Sequence, residues 1–276
     1  MADEKGYFTD EGLDYEFADQ LKSESGIIHN LGDKVGAFQT FEKGRTSNIS
    51  CACHWTVNVA ASSGHGKLFR DAYSVAPAGI YVATDSDIKS PADLANVPVS
   101  VAYQSGSHYS TIQVLEQWLK PEEIELSFND GLLFRRLELL VEGEIPAVHL
   151  FSAPMYVAEQ LGFRKICDCT FMMASMINGD PDAEDVRKYY RALQRAQRDI
   201  DLRPELYTKH YLRELPERHH QLVDTGSMGP GERIVFEPYT REVFDESREW
   251  VAEHEIFPDG NLGSGDFDQA SFSVKL

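Results

Sequence analysis

The chain has 276 residues, 42% of them hydrophobic, and a formal net charge of −19 from 26 basic and 45 acidic side chains. That length suffices for one large domain or two lobes with separate cores, and a charged share of 26% is ordinary for a globular protein. So acidic a surface repels phosphate backbones and anionic lipid heads, which excludes nucleic acid as a partner, and no apolar run approaches the roughly 18 residues needed for membrane insertion.

The opening MADEKGYF is charged and has no apolar h-region. A cytoplasmic location is expected for the sequence as it stands, and a periplasmic or secreted one if Met1 is not the true start. In chain order, Gly36 to Lys43 reads as a helix stopped by Gly44. SNISCAC is a strand running into a turn, and VNVAAS the small apolar segment after it. Ser74 to Thr84 is a further strand region. SPADLANV has Ser90 as N-cap and Pro91 at the first helical position. VPVSVAY (97–103) is a strand, and SGSHYSTIQVLEQWL a turn into a helix with Ile112, Leu115 and Leu119 on one face. Strand 124–128, helix 130–143, strand 146–151, helix 152–162 and strand 164–169 continue the alternation, followed by FMMASMI as another strand. A long amphipathic helix runs from Pro181 to about Leu202. The remainder reads as mostly helical, interrupted by TGSMGPGER, with a loosely ordered tail. Alternation of this kind implies a parallel-rich α/β architecture.

Four cysteines come as two C-x-C pairs, Cys51/Cys53 and Cys167/Cys169. Neighbouring positions on one strand suit disulfide geometry poorly, so reduced thiols are expected. CACHW (51–55) raises three readings. Zinc wants wider ligand spacing than Cys51, Cys53 and His54 provide, so no metal is expected. A nucleophile needs a thiol pKa lowered by a helix start or an imidazole, and Cys51 or Cys53 beside His54 fits that on paper. The third reading is a buried thiol pair with His54 and Trp55 as walls.

The order of five segments resembles the nitrate/sulfonate/taurine-type solute-binding proteins: ADEKGYFTDEGLDYEF, FEKGRTSNIS, DSDIKSPADLANVPVSVAYQSGS, LVEGEIPAVHLFSAP and PDAEDVRKYYRALQRAQRDI. The likeness spans almost the whole chain. It implies a two-lobed type 2 periplasmic-binding-protein-like fold with a ligand cleft between lobes. Residues 1–87 plus 172–276 would form one lobe and 88–171 the other. Members of that group usually carry a strand ahead of the GYF segment, and this sequence begins almost on top of it. The related yeast thiamine-pyrimidine synthase would place its cofactor lysine at Cys51 and its histidine near His54 or Trp55. Its cysteine-rich motif would fall on CDCTFMMAS, which does not match. Thiaminase I is similar in fold and works through a cleft cysteine.

Ligands of such folds meet loops at the carboxyl ends of strands. Three loops qualify: CACHW; Gln104 to His108; and His149 to Pro154. The second combines Gly106 for close backbone approach, the hydroxyls of Ser105, Ser107 and Thr111, and a helix start suited to an anion. An ordinary N-capped helix start is the competing reading of that stretch. The ligand-binding candidates are His54, Trp55, Ser105, Gly106, Ser107, His108, Thr111, His149 and Ser152. For His149 a hydrogen-bonded core role competes. Glu232 and Arg233 lie in a loop that either closes over the site or is a solvated turn. The leading expectation is binding of a small anionic organic ligand, with an ABC permease as a further partner and no cofactor. The alternative is a cytoplasmic enzyme on the same scaffold, with Cys51 or Cys53 as nucleophile and His54 or His108 as base.

Overall fold

A computed structural model describes residues 1–17, 38, 47–128, 133–213, 215–221, 223–257 and 262–276. Two sheets organise them. The first centres on β9 (Phe171–Ile177). β1 (Ile49–Cys53) runs antiparallel along one of its edges, while β2 (Lys67–Phe69) and β3 (Tyr73–Ala76) share the other. β10 (Arg233–Val235) extends the sheet beyond β3, and β11 (Ser271–Phe272) lies parallel to β2. The second sheet has the order β6 (Leu126–Phe128), β5 (Val99–Val101), β7 (Ala147–Phe151), β4 (Ala78–Val82) and β8 (Arg164–Asp168). Here β5 is parallel to both β6 and β7, and β4 runs antiparallel between β7 and β8.

The architecture is α/β with two mixed sheets, not a parallel-rich one: of nine described strand pairings, six are antiparallel. The reason lies in two places where the chain passes between sheets without a helical crossover. The single strand expected over 74–84 is split at Pro77, where β3 ends in the first sheet and β4 begins in the second. Proline has no N–H to contribute to a ladder, so pairing breaks there. The return passage is Cys169–Thr170, between β8 and β9. The Cys169 amide donates to the Ala78 carbonyl, tying the two passages together.

Helices cover the sheets. α2 (His54–Ser62) follows β1 without a break and is buried along its whole length. α3 (Gly106–Leu115), α4 (Leu133–Val141) and α5 (Ser152–Gln160) belong to the second half. α6 (Ala183–Leu202) is capped by the Asp182 carboxylate, which accepts from the Glu184 and Asp185 amides. Its buried Tyr190 stacks on Phe69 at 3.9 Å. The short N-terminal α1 (Tyr7–Asp10) packs on α6 through Phe8, Ala192 and Ala196. One apolar cluster links both sheets through Cys53, Trp55, Ala76, Ile80, Val99, Tyr109 and Phe171.

The end of the chain differs from expectation. After α6 come short 3-10 turns, β10 and α7 (Arg241–Glu253), so the helix expected through most of this stretch is largely 3-10, and a strand joins it. From residue 262 the tail is ordered: α8 (Phe267–Ala270) leads into β11, and Phe267, Ala270 and Val274 are buried. The Asp71 carboxylate accepts from Ser273 Oγ and from the Val274 and Lys275 amides. The helix expected at 36–43 lies outside the described residues, except for helical Phe38.

Candidate functional site

β5 and β7 are parallel neighbours, so their carboxyl ends deliver the Gln104–His108 turn and the Phe151–Ser152 turn side by side. Both turns are backbone outliers, with φ of +49° at Gln104 and +55° at Ser152. Non-glycine residues hold such angles only when their surroundings enforce them, which is common where a chain is shaped around a ligand.

The α3 start departs from an ordinary cap. Ser105 is at the N-cap position, but its hydroxyl donates to the Ala102 carbonyl at 2.8 Å instead of accepting from the helix. Ser107 Oγ takes the Ala102 amide at 3.0 Å and is hydrogen-bonded to Ser105 Oγ at 2.7 Å. Among the described residues, no acceptor meets the Gly106 or Ser107 amides, and these are the donors a helix start offers to an anion. Gly106 is required here, since a Cβ would lie 2.4 Å from Cε2 of Phe171.

His149, on β7, is fully buried. Its Nδ1 meets Thr111 Oγ1 at 3.1 Å, while Nε2 has no partner. Burial, with the nearby Arg136 charge, pushes its pKa well below the usual histidine range. His108 accepts the Gln104 amide at Nδ1, 3.2 Å away, and packs among Tyr103, Tyr109 and Phe128; burial lowers it to about 4. Both imidazoles are therefore neutral near pH 7.

One side chain absent from the expectations joins this cluster. Arg136 of α4 is only 2% exposed and donates from Nη1 to Ser107 Oγ at 2.7 Å. Its guanidinium lies 5.9 Å from the Phe151 ring centre. Sequence carried a signal for it: Arg136 sits on the stripe Leu133, Leu137, Leu140 of an amphipathic helix, where a charge is out of place. Its neighbour Arg135 takes the exposed role, pairing with Glu138, Glu142 and Glu144.

CACHW divides between different surroundings. Cys53 stands at the N-cap position of α2 and is buried, with Sγ 3.0 Å from Thr56 Oγ1; burial pushes its thiol up to about 11. Thr56 in turn reaches the Gln104 carbonyl at 3.4 Å, so Cys53 lies behind the α3 turn. Cys51 is exposed, yet protein surrounds it closely enough to raise its pKa, with Ser175 Oγ at 3.3 Å and the Glu232 charge nearby. His54 points to neither thiol: its Nδ1 meets Tyr239 at 2.9 Å and Ser247 at 3.3 Å, and burial lowers it to about 3. Trp55 is 3% exposed and stacked on Tyr109 at 5.3 Å, within the core that joins the sheets. Cys167 and Cys169 hold their sulfurs 4.0 Å apart as free thiols.

Glu232 and Arg233 do not form a free loop. Glu232 accepts from Ser74, and Arg233 grips Asp201 with Nε at 3.1 Å and Nη2 at 2.8 Å as β10 joins the sheet. Among the described residues, no group of His, Cys, Asp and Glu is arranged to hold a metal ion, and no helix is long and apolar enough to cross a membrane.

No family model matches the chain, and no curated protein matches it in sequence. Solved structures do match. The alkanesulfonate-binding protein SsuA from Xanthomonas axonopodis pv. citri, bound to MOPS, is 17% identical with a TM-score of 0.60, covering 86% of this chain and 83% of that one. The desulfurization enzyme DSZB is 14% identical with a TM-score of 0.62, covering 99% and 92%. The periplasmic aliphatic sulphonate binding protein SsuA from Escherichia coli is 18% identical with a TM-score of 0.56, covering 84% and 82%. Over most of its length, then, the chain has the fold of the type 2 periplasmic-binding proteins and is structurally similar to both sulfonate-binding proteins and a desulfurization enzyme.

Proposed function

We propose that this protein binds a small anionic organic molecule between two α/β lobes, as substrate-binding proteins of ABC transporters do. The observation that carries the reading is the pairing of the β5 and β7 ends. It gathers the unfilled Gly106 and Ser107 amides, the strained Gln104 and Ser152 backbones and the unpartnered His149 Nε2 at one place. These are groups that a ligand oxyanion and its polar attachments would satisfy. The lobes meet at the Pro77 and Cys169–Thr170 passages, which supply a two-stranded hinge for closure. The fold neighbours support the ligand class, since two are sulfonate-binding proteins and one holds MOPS.

A thiol enzyme on this scaffold would need an activated cysteine. Cys53 is buried with its pKa raised, and His54 is engaged by Tyr239 and Ser247. Cys51 has Ser175 and the Glu232 charge beside it, and an adjacent anion disfavours a thiolate. Binding is the reading the geometry favours.

Isothermal titration calorimetry with MOPS, short alkanesulfonates, carboxylates and acidic heterocycles tests it. One-site binding with a matching rise in melting temperature is expected for at least one class. Absence of heat and of any thermal shift across the panel overturns the proposal.

A further inference from the structure

A charged side chain adjoins the α3 start. Arg136 is only 2% exposed, and among the described residues its partners are one serine hydroxyl and one aromatic face. Nε is buried without a hydrogen-bond partner. Nη2 has none among the described residues either. Among the described residues, no carboxylate pairs with the guanidinium; Asp168, the acid whose charge His149 feels, is engaged by Lys165 at 3.2 Å. Buried guanidinium groups are normally paired, because leaving one unpaired in the interior is among the costliest arrangements a fold can hold.

The geometry says what is missing. Nη1 is spent on Ser107, which leaves the Nε–Nη2 edge, the side of the guanidinium that takes two oxygens of one acid in parallel. The guanidinium is tied through Nη1 to Ser107 at the α3 start, where, among the described residues, the Gly106 and Ser107 amides are also without acceptors. The nearby imidazoles of His108 and His149 are neutral, so the guanidinium is the positive charge of the cluster.

Resting on the binding reading above, we propose that Arg136 is the charged anchor of the ligand site and selects singly charged organic oxyanions (carboxylates, sulfinates or sulfonates) over dianions and cations. A monoanion balances the guanidinium. A phosphate-monoester dianion would bury a second, unmatched negative charge, and a protonated amine would be repelled by the guanidinium.

The test uses the full chain and its Arg136→Met, Arg136→Gln and Arg136→Lys variants, each checked for folding by circular dichroism. Thermal shift and calorimetry are run with propane-1-sulfonate, butyrate, n-butyl phosphate and propylamine. The wild type is expected to bind the sulfonate or the carboxylate at least about 10-fold more tightly than the phosphate monoester, and not the amine. Arg136→Met and Arg136→Gln should weaken monoanion binding about 100-fold or more. Arg136→Lys, which keeps charge without the fork, should fall between, and it decides the matter should the neutral variants not fold. In anion-free buffer Arg136→Met should melt higher than wild type, since it removes an unpaired buried charge. A merely structural pin on Ser107 predicts the reverse: lower melting with the anion response kept, and that result overturns the proposal. A wild type that answers monoanions while all variants answer equally sinks the role of Arg136 alone. A wild type that answers none sinks the binding reading and this anchor with it.

Discussion

His54 and His108 record how far the interior has excluded charge. Unfolded, each takes up a proton near pH 6.5; folded, burial holds His108 at about 4 and His54 at about 3. The unfolded chain therefore binds more protons in that window. The stability gained by keeping both rings neutral is complete above about pH 6.5. It drains as pH falls, through about 4 for His108 and about 3 for His54. Each ring contributes a slope of roughly 1.4 kcal/mol per pH unit within its window. Urea unfolding should show the midpoint dropping steadily from pH 7 to 4.5, with a shallower fall in His108→Gln; a flat wild-type profile would refute the burial of these rings. At this scale sequence told only part of the story. The turn into α3 at Ser105–Ser107 was legible because serine and glycine after a strand mark a helix start. For Arg136 the charge on an apolar stripe was a signal, but its partner was not legible, since only packing brings α4 against Ser107 and leaves Arg135 with its glutamates.

At the level of elements, the approach of α3 to β9 sets a strict size limit. Phe171 is 4% exposed and has little room to retreat from a side chain at position 106. Gly106→Ala should cost about 1–3 kcal/mol by overpacking, and Phe171→Leu in the same chain should recover much of it. Equal urea midpoints for Gly106→Ala and wild type would show that the two elements are not in this contact. Strand and helix periodicities made most of the elements readable, from β1 through α6. The tail was not, for a physical reason. β11 spans two residues and owes its order to Asp71, which lies about 200 positions away and accepts from Ser273, Val274 and Lys275. No local pattern encodes such a clamp. Nor does periodicity reveal that one apolar run, 74–84, serves two sheets.

Over the whole molecule, a formal charge of −19 means self-repulsion that salt can relieve. The Debye length falls from about 30 Å at 0.01 M to about 3 Å at 1 M salt. Melting temperature should therefore rise with potassium chloride over that range, measured by differential scanning fluorimetry; a monotonic fall would show that exposed ion pairs such as Arg195–Asp10 and Arg241–Asp268 outweigh the net field. The first sheet joins strands from residue 49 to residue 272 around a centre at 171–177. Its assembly order follows from that span. The second sheet uses one continuous stretch, 78–168, and can form while synthesis is under way. The first cannot close until the last strand has left the ribosome. During translation β2 is therefore an open edge awaiting its parallel partner.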